Sequence, residues 1–150
     1  MPDILTSVRK FLRARPRSVY EVREYLKRKE FQTSDIEGLL RRLTEEGRVN
    51  DRKFAKLWID DRLSRHPRSK YLIIKELTDK GLEENLIEDV FSREFPGYDE
   101  VEEVRRLGRM RLNKAKRDDP EKAGRTVYAY LRRLGFSEEL VMTFMEDEVR

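Results

Sequence analysis

The segment from Arg105 to Arg117 has the composition of an anion-binding surface. It holds seven cations in thirteen residues and no acid. At about 100° per residue along a helix, five of these cations fall on one side, and they are Arg105, Arg106, Arg109, Lys116 and Arg117. Acids just before the segment and bases at its end complement a helix macrodipole, but five cations on one side exceed what the dipole needs. We therefore predict that this side contacts phosphates or the acidic surface of a partner.

Other basic residues could extend such a surface. One group lies around the turn at His66-Pro67, and its members are Arg62, Arg68 and Lys70. A second is the pair Arg41 and Arg42, inside a predicted helix, and a third is the run from Arg9 to Arg17, which contains no acid. Each group alone is typical of a solvated face. We interpret the first two as further candidate residues for binding a partner or nucleic acid.

The sequence lacks the residue sets that catalysis and metal binding need. It has no cysteine and one histidine, His66, whose neighbours Arg65 and Arg68 disfavour a metal cation. Adjacent carboxylates such as Asp60-Asp61 stand in polar surroundings, whereas a general acid with a shifted pKa needs a desolvated site. A glycine-rich phosphate loop is also absent from the sequence. We therefore expect no enzyme activity, no catalytic residue, no metal, no cofactor and no small-molecule substrate.

Composition and periodicity predict an all-α protein. Charged residues make up 43% of the 150 residues, yet the net charge is only +4. Leu, Ile, Val and Phe recur at helical spacing without strand-like alternation, which excludes a disordered chain. Residues 1–20 contain no apolar core of a signal peptide, and the longest apolar run, Tyr71 to Ile74, is too short to cross a membrane. We therefore expect a cytoplasmic location.

An internal repeat organises the predicted helices. Three segments align at the apolar positions Val22, Ile73 and Val127, and again at Leu26, Leu77 and Leu131. The three leucines are offset by 51 and 54 residues. Each segment contains two helices, and a leading helix precedes it, over Ile4–Ala14, Asp51–Leu63 and Asp99–Lys116 in turn. The sequence therefore predicts three tandem three-helix repeats, over residues 1–49, 50–97 and 98–150.

Local signals predict where several helices begin and end. Gly81 and Gly135 stand where the middle helices end, as expected of a left-handed residue after a helix. Glu30 takes this place in the first repeat. Pro120 suits the first position of a helix after an aspartate cap. Capping-box spacing occurs at Ser34 with Glu37 and at Asn85 with Glu88.

The stretch from Asn50 to Arg62 resembles the central signature of the RecX regulators. That signature has an acidic pair, then Phe-Ala, then a Trp three residues on and an Arg after it. The segment Ile74–Leu82 resembles the Glu-Leu…Lys-Gly-Ile segment of the family, and 17–31 and 134–137 are similar to its outer repeats, so the resemblance covers nearly the whole chain. The departures are Asn50 for the first acid, Glu30 for a usual glycine, and Pro67-Arg68 for a glycine-containing turn.

The resemblance implies a modulator of the RecA recombinase, built from three repeats of three helices in an elongated, curved molecule. Such proteins bind along the RecA–DNA filament, limit its extension or promote its disassembly, and so restrain ATP hydrolysis, strand exchange and the SOS response. The resemblance therefore implies RecA and its single-stranded DNA filament as partners, with weak non-specific DNA binding and no membrane. The basic faces described above fit such partners.

An alternative function is direct DNA recognition by helix-turn-helix units. The last predicted helices of the second and third repeats are rich in acids that would repel phosphate, and only the helix with Arg41 and Arg42 suits DNA. A DNA-binding helical module therefore remains the alternative to a RecA regulator.

One predicted helix has an apolar face that contains Phe54 and Trp58. Its spacing favours core packing over a partner-binding aromatic, with the ring nitrogen of Trp58 at the edge of the core.

Overall fold

The structure is a computed structural model that describes residues 3–149. Within this range the chain forms nine α-helices and no strand, which confirms the predicted all-α repeat fold. The helices are α1 Ile4–Ala14, α2 Val19–Arg28, α3 Thr33–Glu45, α4 Asp51–Ser64, α5 Lys70–Asp79, α6 Glu84–Glu94, α7 Glu100–Asp118, α8 Ala123–Arg133 and α9 Glu138–Glu148. None of the helices in the described part of the chain is both long and apolar enough to cross a membrane.

Contacts between residues group the chain into two compact units. The first unit runs to Asp60 and resumes over Glu76–Glu94, and the second comprises Asp61–Lys75 and the chain from Phe95 onward. The first unit therefore holds α1, α2, α3 and α6, together with most of α4 and the end of α5. The second unit holds α7, α8 and α9, together with the end of α4 and the start of α5. The three-repeat boundaries at residues 49–50 and 97–98 stay a prediction.

Each unit has a core that the helical periodicity of the sequence creates. One buried cluster of the first unit is formed by α1 to α3 and the turn after them, and its members are Val8, Val22, Leu26, Ile36, Leu39, Leu40, Leu43 and Val49. The rings of Phe11 and Tyr25 stack beside it, with their centroids 4.0 Å apart. In the second unit α7, α8 and α9 enclose a buried cluster that includes Leu112, Leu131 and Phe144.

The internal repeat is visible in equivalent buried positions. Leu26, Leu77 and Leu131 have no exposed surface, so the three middle helices present the same leucine to a core. Each middle helix is followed by a residue in the left-handed region, with φ of 66° at Glu30, 84° at Gly81 and 94° at Gly135. This confirms the predicted left-handed ends, including the one that lacks a glycine.

Several predicted helix starts are wrong. The N-cap of α3 is Gln32 and not Ser34, α6 begins at Glu84 and so contains Asn85, and Pro120 lies in the turn before α8. The physical reason is that the left-handed residue before α3, α6 and α9 turns the chain, and each helix begins three residues after it. The capping box occurs instead at Ser18 and Glu21, at the start of α2.

Two similar junctions connect the repeats, one inside each unit. At the Ser18 junction, the Ser18 hydroxyl donates to the carbonyl of Lys80 at 2.7 Å. At the Ser69 junction, the Ser69 backbone N–H donates to the carbonyl of Leu134 at 2.8 Å. Both carbonyls belong to the residue before the left-handed glycine, and both serines are buried. The N-terminal end of one middle helix therefore packs on the C-terminal end of the next.

Candidate partner-binding surfaces

Helix α7 carries the five cations of the strongest sequence prediction. The Asp99 carboxylate caps this helix by accepting from the N–H groups of Val101 and Glu102, at 3.0 and 3.3 Å. The buried residues of α7 are Val104, Leu107, Gly108, Leu112 and Ala115. A Cβ on Gly108 would lie 2.5 Å from the Phe144 ring, so the glycine allows α9 to pack closely against α7. The predicted cations lie off this buried side, with Arg105 half-buried and the other four exposed.

Three of these five cations bind a carboxylate of the chain itself. The pairs are Arg105 with Glu102, Arg106 with Glu103 at 3.0 Å, and Arg109 with Glu148 at 2.7 Å. Lys116 and Arg117 form no ion pair with any described residue. The structure therefore places all five on one helix but leaves only two without a carboxylate partner in the described chain.

The pair of Arg109 and Glu148 connects α7 to α9. The hydrogen bond from Arg109 holds the pKa of the Glu148 carboxyl below its ordinary value, and the same bond raises the pKa of Arg109. Sequence reasoning missed this pair, because Glu148 lies 39 residues away along the chain. No sequence signal singled out Glu148, since α9 carries five acids and four of them, Glu138, Glu139, Glu146 and Asp147, are exposed.

The basic group around the His66-Pro67 turn is less exposed than a binding surface would suggest. Arg62, Arg68 and Lys70 are all half-buried. The Arg62 guanidinium pairs with Asp61 at 2.9 Å, and Arg68 donates to the carbonyl of Pro67 at 3.1 Å. The pKa of Asp61 is lowered, chiefly by its hydrogen bond with His66, so this turn stabilises its own charges.

The remaining predicted pair, Arg41 and Arg42, lies on α3 in the first unit. Both side chains are exposed. The guanidinium of Arg42 lies 3.8 Å from the Glu46 carboxylate, one turn further along the helix. The other candidate cations belong to the second unit. The role of all ten candidate residues in binding stays a prediction.

The aromatic residues of α4 pack inside the first unit. Phe54, Ala55 and Ile59 are buried, and Trp58 is half-buried against Phe54 with ring centroids 5.7 Å apart. The indole nitrogen of Trp58 donates to the Glu76 carboxylate at 3.0 Å. This is the arrangement expected of an aromatic side chain at the edge of a core, and it confirms the packing interpretation.

The start of α4 is held by two side chains that sequence reasoning did not assign. The Asn50 side chain accepts from the Lys53 N–H at 3.1 Å. Asparagine at the place of a usual acid therefore still acts as a cap. The Asp51 carboxylate accepts from the Val19 N–H at 2.9 Å and so connects α4 to α2. Burial raises the pKa of Asp51, and the sequence alone did not identify this carboxylate as desolvated.

Comparison with known proteins assigns this arrangement to a family. The first three-helix domain of RecX matches residues 7–43, and the second three-helix domain of RecX matches residues 50–90. The regulatory protein RecX of Amycolatopsis mediterranei is 32% identical over 93% of this chain and 79% of its own length. The chain belongs to the RecX family. Membership of this family supports a regulatory role.

With some other RecX proteins, the match covers a smaller share of the relative's length. The regulatory protein RecX of Halalkalibacterium halodurans is 36% identical over 63% of this chain, but the match covers 35% of its own length. For the RecX of Bacillus pumilus the match covers 49% of its length, at 29% identity. The chain thus spans half or less of these two longer relatives.

The fold is that of solved RecX structures. The crystal structure of RecX from Lactobacillus salivarius matches with a TM-score of 0.74 over 96% of this chain and 92% of that protein, at 19% identity. A second RecX crystal structure matches with the same TM-score over 97% of this chain. These likenesses, at low identity, extend the family fold through the third repeat.

The residues of α4 that resemble the RecX signature are mostly structural. The second matched domain includes the α4 signature, whose aromatic residues pack in the core and whose Asn50 and Asp51 hold the start of the helix. The five cations of α7 lie beyond both matched domains. The two matched domains therefore say nothing about these cations, and their role needs its own test.

Proposed function

We propose that this chain regulates the RecA recombinase. In this proposal it binds RecA or the RecA filament on single-stranded DNA, and it restrains ATP hydrolysis, strand exchange and SOS co-protease activity. The observation that carries the proposal is the similarity to a regulatory protein RecX over 93% of the chain. We also propose that it acts in the cytoplasm, by binding and without catalysing a reaction, because its sequence lacks the residue sets of an enzyme.

The exposed basic side of α7 is the proposed contact with the filament. A nucleoprotein filament presents phosphates, and cations that bind them release counterions. Lys116 and Arg117 suit this contact best, because no described carboxylate competes for them. Arg105, Arg106 and Arg109 would have to exchange a partner within the chain for one on the filament. The secondary contacts in this proposal are Arg62, Arg68, Lys70, Arg41 and Arg42.

Co-sedimentation with preformed RecA filaments on single-stranded DNA tests the proposal, with bare single-stranded DNA as the control. We expect the chain to sediment with the filament, to release from it as salt is raised, and to slow the ATP hydrolysis of RecA. Purified alone, the chain should hydrolyse no ATP. Equal binding to bare DNA with no effect on RecA would instead support the DNA-binding helical module.

Two charge reversals test the contact surface. Lys116→Glu with Arg117→Glu should weaken filament binding more than Arg105→Glu with Arg109→Glu, because the second pair is already partly neutralised. The control is Glu138→Ala with Glu139→Ala, in the first turn of α9, which should leave binding intact. If both reversals fold normally and inhibit RecA at the concentration of the unmodified chain, the filament contact does not lie on α7.

A further inference from the structure

We infer that a cleft in the first unit binds an acidic peptide segment that inserts one large apolar side chain. The cleft has a volume of about 290 Å³ and lies between the end of α1 and the start of α4. It is here called the first-unit cleft. Its size is at the lower limit of small-molecule pockets, which suits one or two side chains better than a whole cofactor. The site goes beyond the proposed RecA contact and does not depend on it.

The rim of the first-unit cleft is basic. The described residues that line it contain no carboxylate, and their cations are Arg13, Arg15, Arg17, Arg48 and Lys53. Four of the five are arginines, whose planar guanidinium groups bind carboxylates through two parallel hydrogen bonds. The cleft therefore favours an anionic ligand, and carboxylates match its geometry.

Three of these cations are already held by the fold. Arg15 binds the Glu21 carboxylate, and Arg48 lies 3.4 Å from the carboxylate of Glu46. Arg17 donates to the carbonyl of Phe11 at 3.2 Å, and its guanidinium lies 3.9 Å from the centroid of the Phe11 ring. These contacts explain why the three residues lie at the cleft without any ligand. They also fix the shape of the rim.

Arg13 and Lys53 are different, because neither forms an ion pair with a described residue. Arg13 lies in the last turn of α1, where the helix dipole favours a cation. Lys53 lies in the first turn of α4, where the same dipole disfavours one. The fold thus accounts for Arg13 but not for Lys53. A carboxylate from outside the chain would satisfy both.

The floor of the cleft is aliphatic, and this composition favours a peptide ligand over nucleic acid. Leu57 is 48% exposed, and Leu12 and Pro16 lie beside it, so the cleft offers uncovered apolar surface. Bases of single-stranded nucleic acid bind chiefly by stacking on exposed aromatic rings. The one aromatic residue of the lining, Phe54, is only 5% exposed and offers no such platform. An apolar side chain between two carboxylates therefore fits the cleft better than a nucleotide.

Selection from a library of displayed random short peptides tests the inference with the full chain as bait. We expect enrichment of peptides in which Leu, Ile, Met or Phe stands between acids. Selection with the Arg13→Glu, Lys53→Glu chain should not enrich them. Enrichment of peptides without acids, or the same enrichment with both baits, would overturn the inference.

Titration of one enriched, fluorescently labelled peptide then measures the contacts. The double reversal should weaken binding about tenfold, as expected for the loss of two exposed ion pairs. Leu57→Ser should weaken it about fivefold through lost apolar contact. The control Lys10→Glu, Lys114→Glu has the same net charge as the double reversal, and both lysines are exposed and lie outside the cleft lining. It should bind like the unmodified chain.

An oligothymidylate of matched length serves as the competing ligand. If the cleft substitutions weaken its binding while selected peptides bind all variants equally, the occupant is nucleic acid and the peptide inference is wrong. Circular dichroism of each variant shows that it is folded. The substituted cations line an exposed rim or lie outside the cleft, and Leu57 is 48% exposed, so we expect each variant to retain its helices.

Discussion

The Ser18 junction and the Ser69 junction perform the same task with different side chains. In both, a buried serine at the start of one middle helix meets the end of the next. At the Ser18 junction a Cβ on Gly81 would lie 2.2 Å from the Tyr20 Cβ. At the Ser69 junction a Cβ on Gly135 would lie 2.5 Å from the Leu72 Cγ, which is further out along its side chain.

Comparison with Glu30 shows why Gly81 and Gly135 have no side chain. It occupies the same left-handed position at the end of α2, yet it carries a side chain, and that side chain is exposed. Left-handed backbone alone therefore costs free energy but does not require glycine. At Gly81 and Gly135 the neighbouring helix adds a steric requirement. The comparison teaches that these glycines are docking residues as well as turn residues.

Gly81→Ala should give the largest loss of stability. Left-handed backbone costs a residue with a Cβ about 1–2 kcal/mol, and forced overpacking adds about 1–3 kcal/mol. We therefore expect the free energy of unfolding in urea to fall by about 2–5 kcal/mol. A loss of only about 1 kcal/mol would mean that backbone strain acts alone and that the junction adapts.

Gly135→Ala should be nearly as damaging, but a second substitution should rescue it in part. Leu72→Ala removes the Cγ that meets the new Cβ, although the Ser69 hydroxyl at 2.6 Å remains. Tyr20→Ala keeps the Cβ that meets residue 81, so it should not rescue Gly81→Ala. Double-mutant cycles by urea unfolding measure both couplings. Equal rescue at the two junctions would contradict the difference described here.

Glu30→Gly should change stability in the opposite direction. Glycine adopts the left-handed region without the Cβ penalty, but it also gains entropy in the unfolded chain. We expect a net stabilisation of about 0.5–1 kcal/mol. Glu30→Ala, which keeps a Cβ, should leave the melting temperature almost unchanged. If glycine destabilises this position, Glu30 makes an interaction that offsets its backbone strain.

The smallest effect concerns the acid sensitivity that Glu21 gives to the Ser18 junction. Burial pushes the pKa of Glu21 upward, but hydrogen bonds from Arg15 and Ser18 and the charge of Lys80 outweigh it, so the pKa is lowered. The stabilisation is therefore complete above the ordinary glutamate pKa and is lost as pH falls through the folded value. The equivalent position at the Ser69 junction is Leu72, which does not titrate.

Glu21→Gln tests this difference between the junctions. The variant should be less stable than the unmodified chain near neutral pH, and the gap should narrow as the pH falls below the ordinary glutamate range. Urea unfolding at a series of pH values measures the gap. A gap that is constant with pH would mean that the Glu21 charge contributes nothing at the Ser18 junction.

Most of the helices could be predicted from the sequence because their stability is local and periodic. The leading helices begin within one residue of their predicted starts, and the aligned leucines are all buried. The predicted helix starts were wrong where they depended on capping spacing alone, as at Ser34 and Asn85. Such spacing is common in polar helices, whereas the left-handed turn before the helix decides where it begins.

The candidate binding surfaces were predicted less completely, because charge in the sequence does not show how charges pair. Periodicity correctly placed the five α7 cations off the buried side of the helix. It did not show that Arg109 meets Glu148 on α9. Nor did it bring Arg13 and Lys53, 40 positions apart in the sequence, to the rim of one cleft.

The sequence by itself determined the all-α class, the repeat and the RecX resemblance, because each depends on the type and spacing of residues along the chain. Only the tertiary structure decided which arginines are neutralised and where an uncovered apolar floor meets unpaired cations. It also decided why positions 81 and 135 require glycine, whereas the equivalent position 30 accepts glutamate. These properties depend on distances between residues far apart in the chain. Packing sets such distances, and helical periodicity does not encode them.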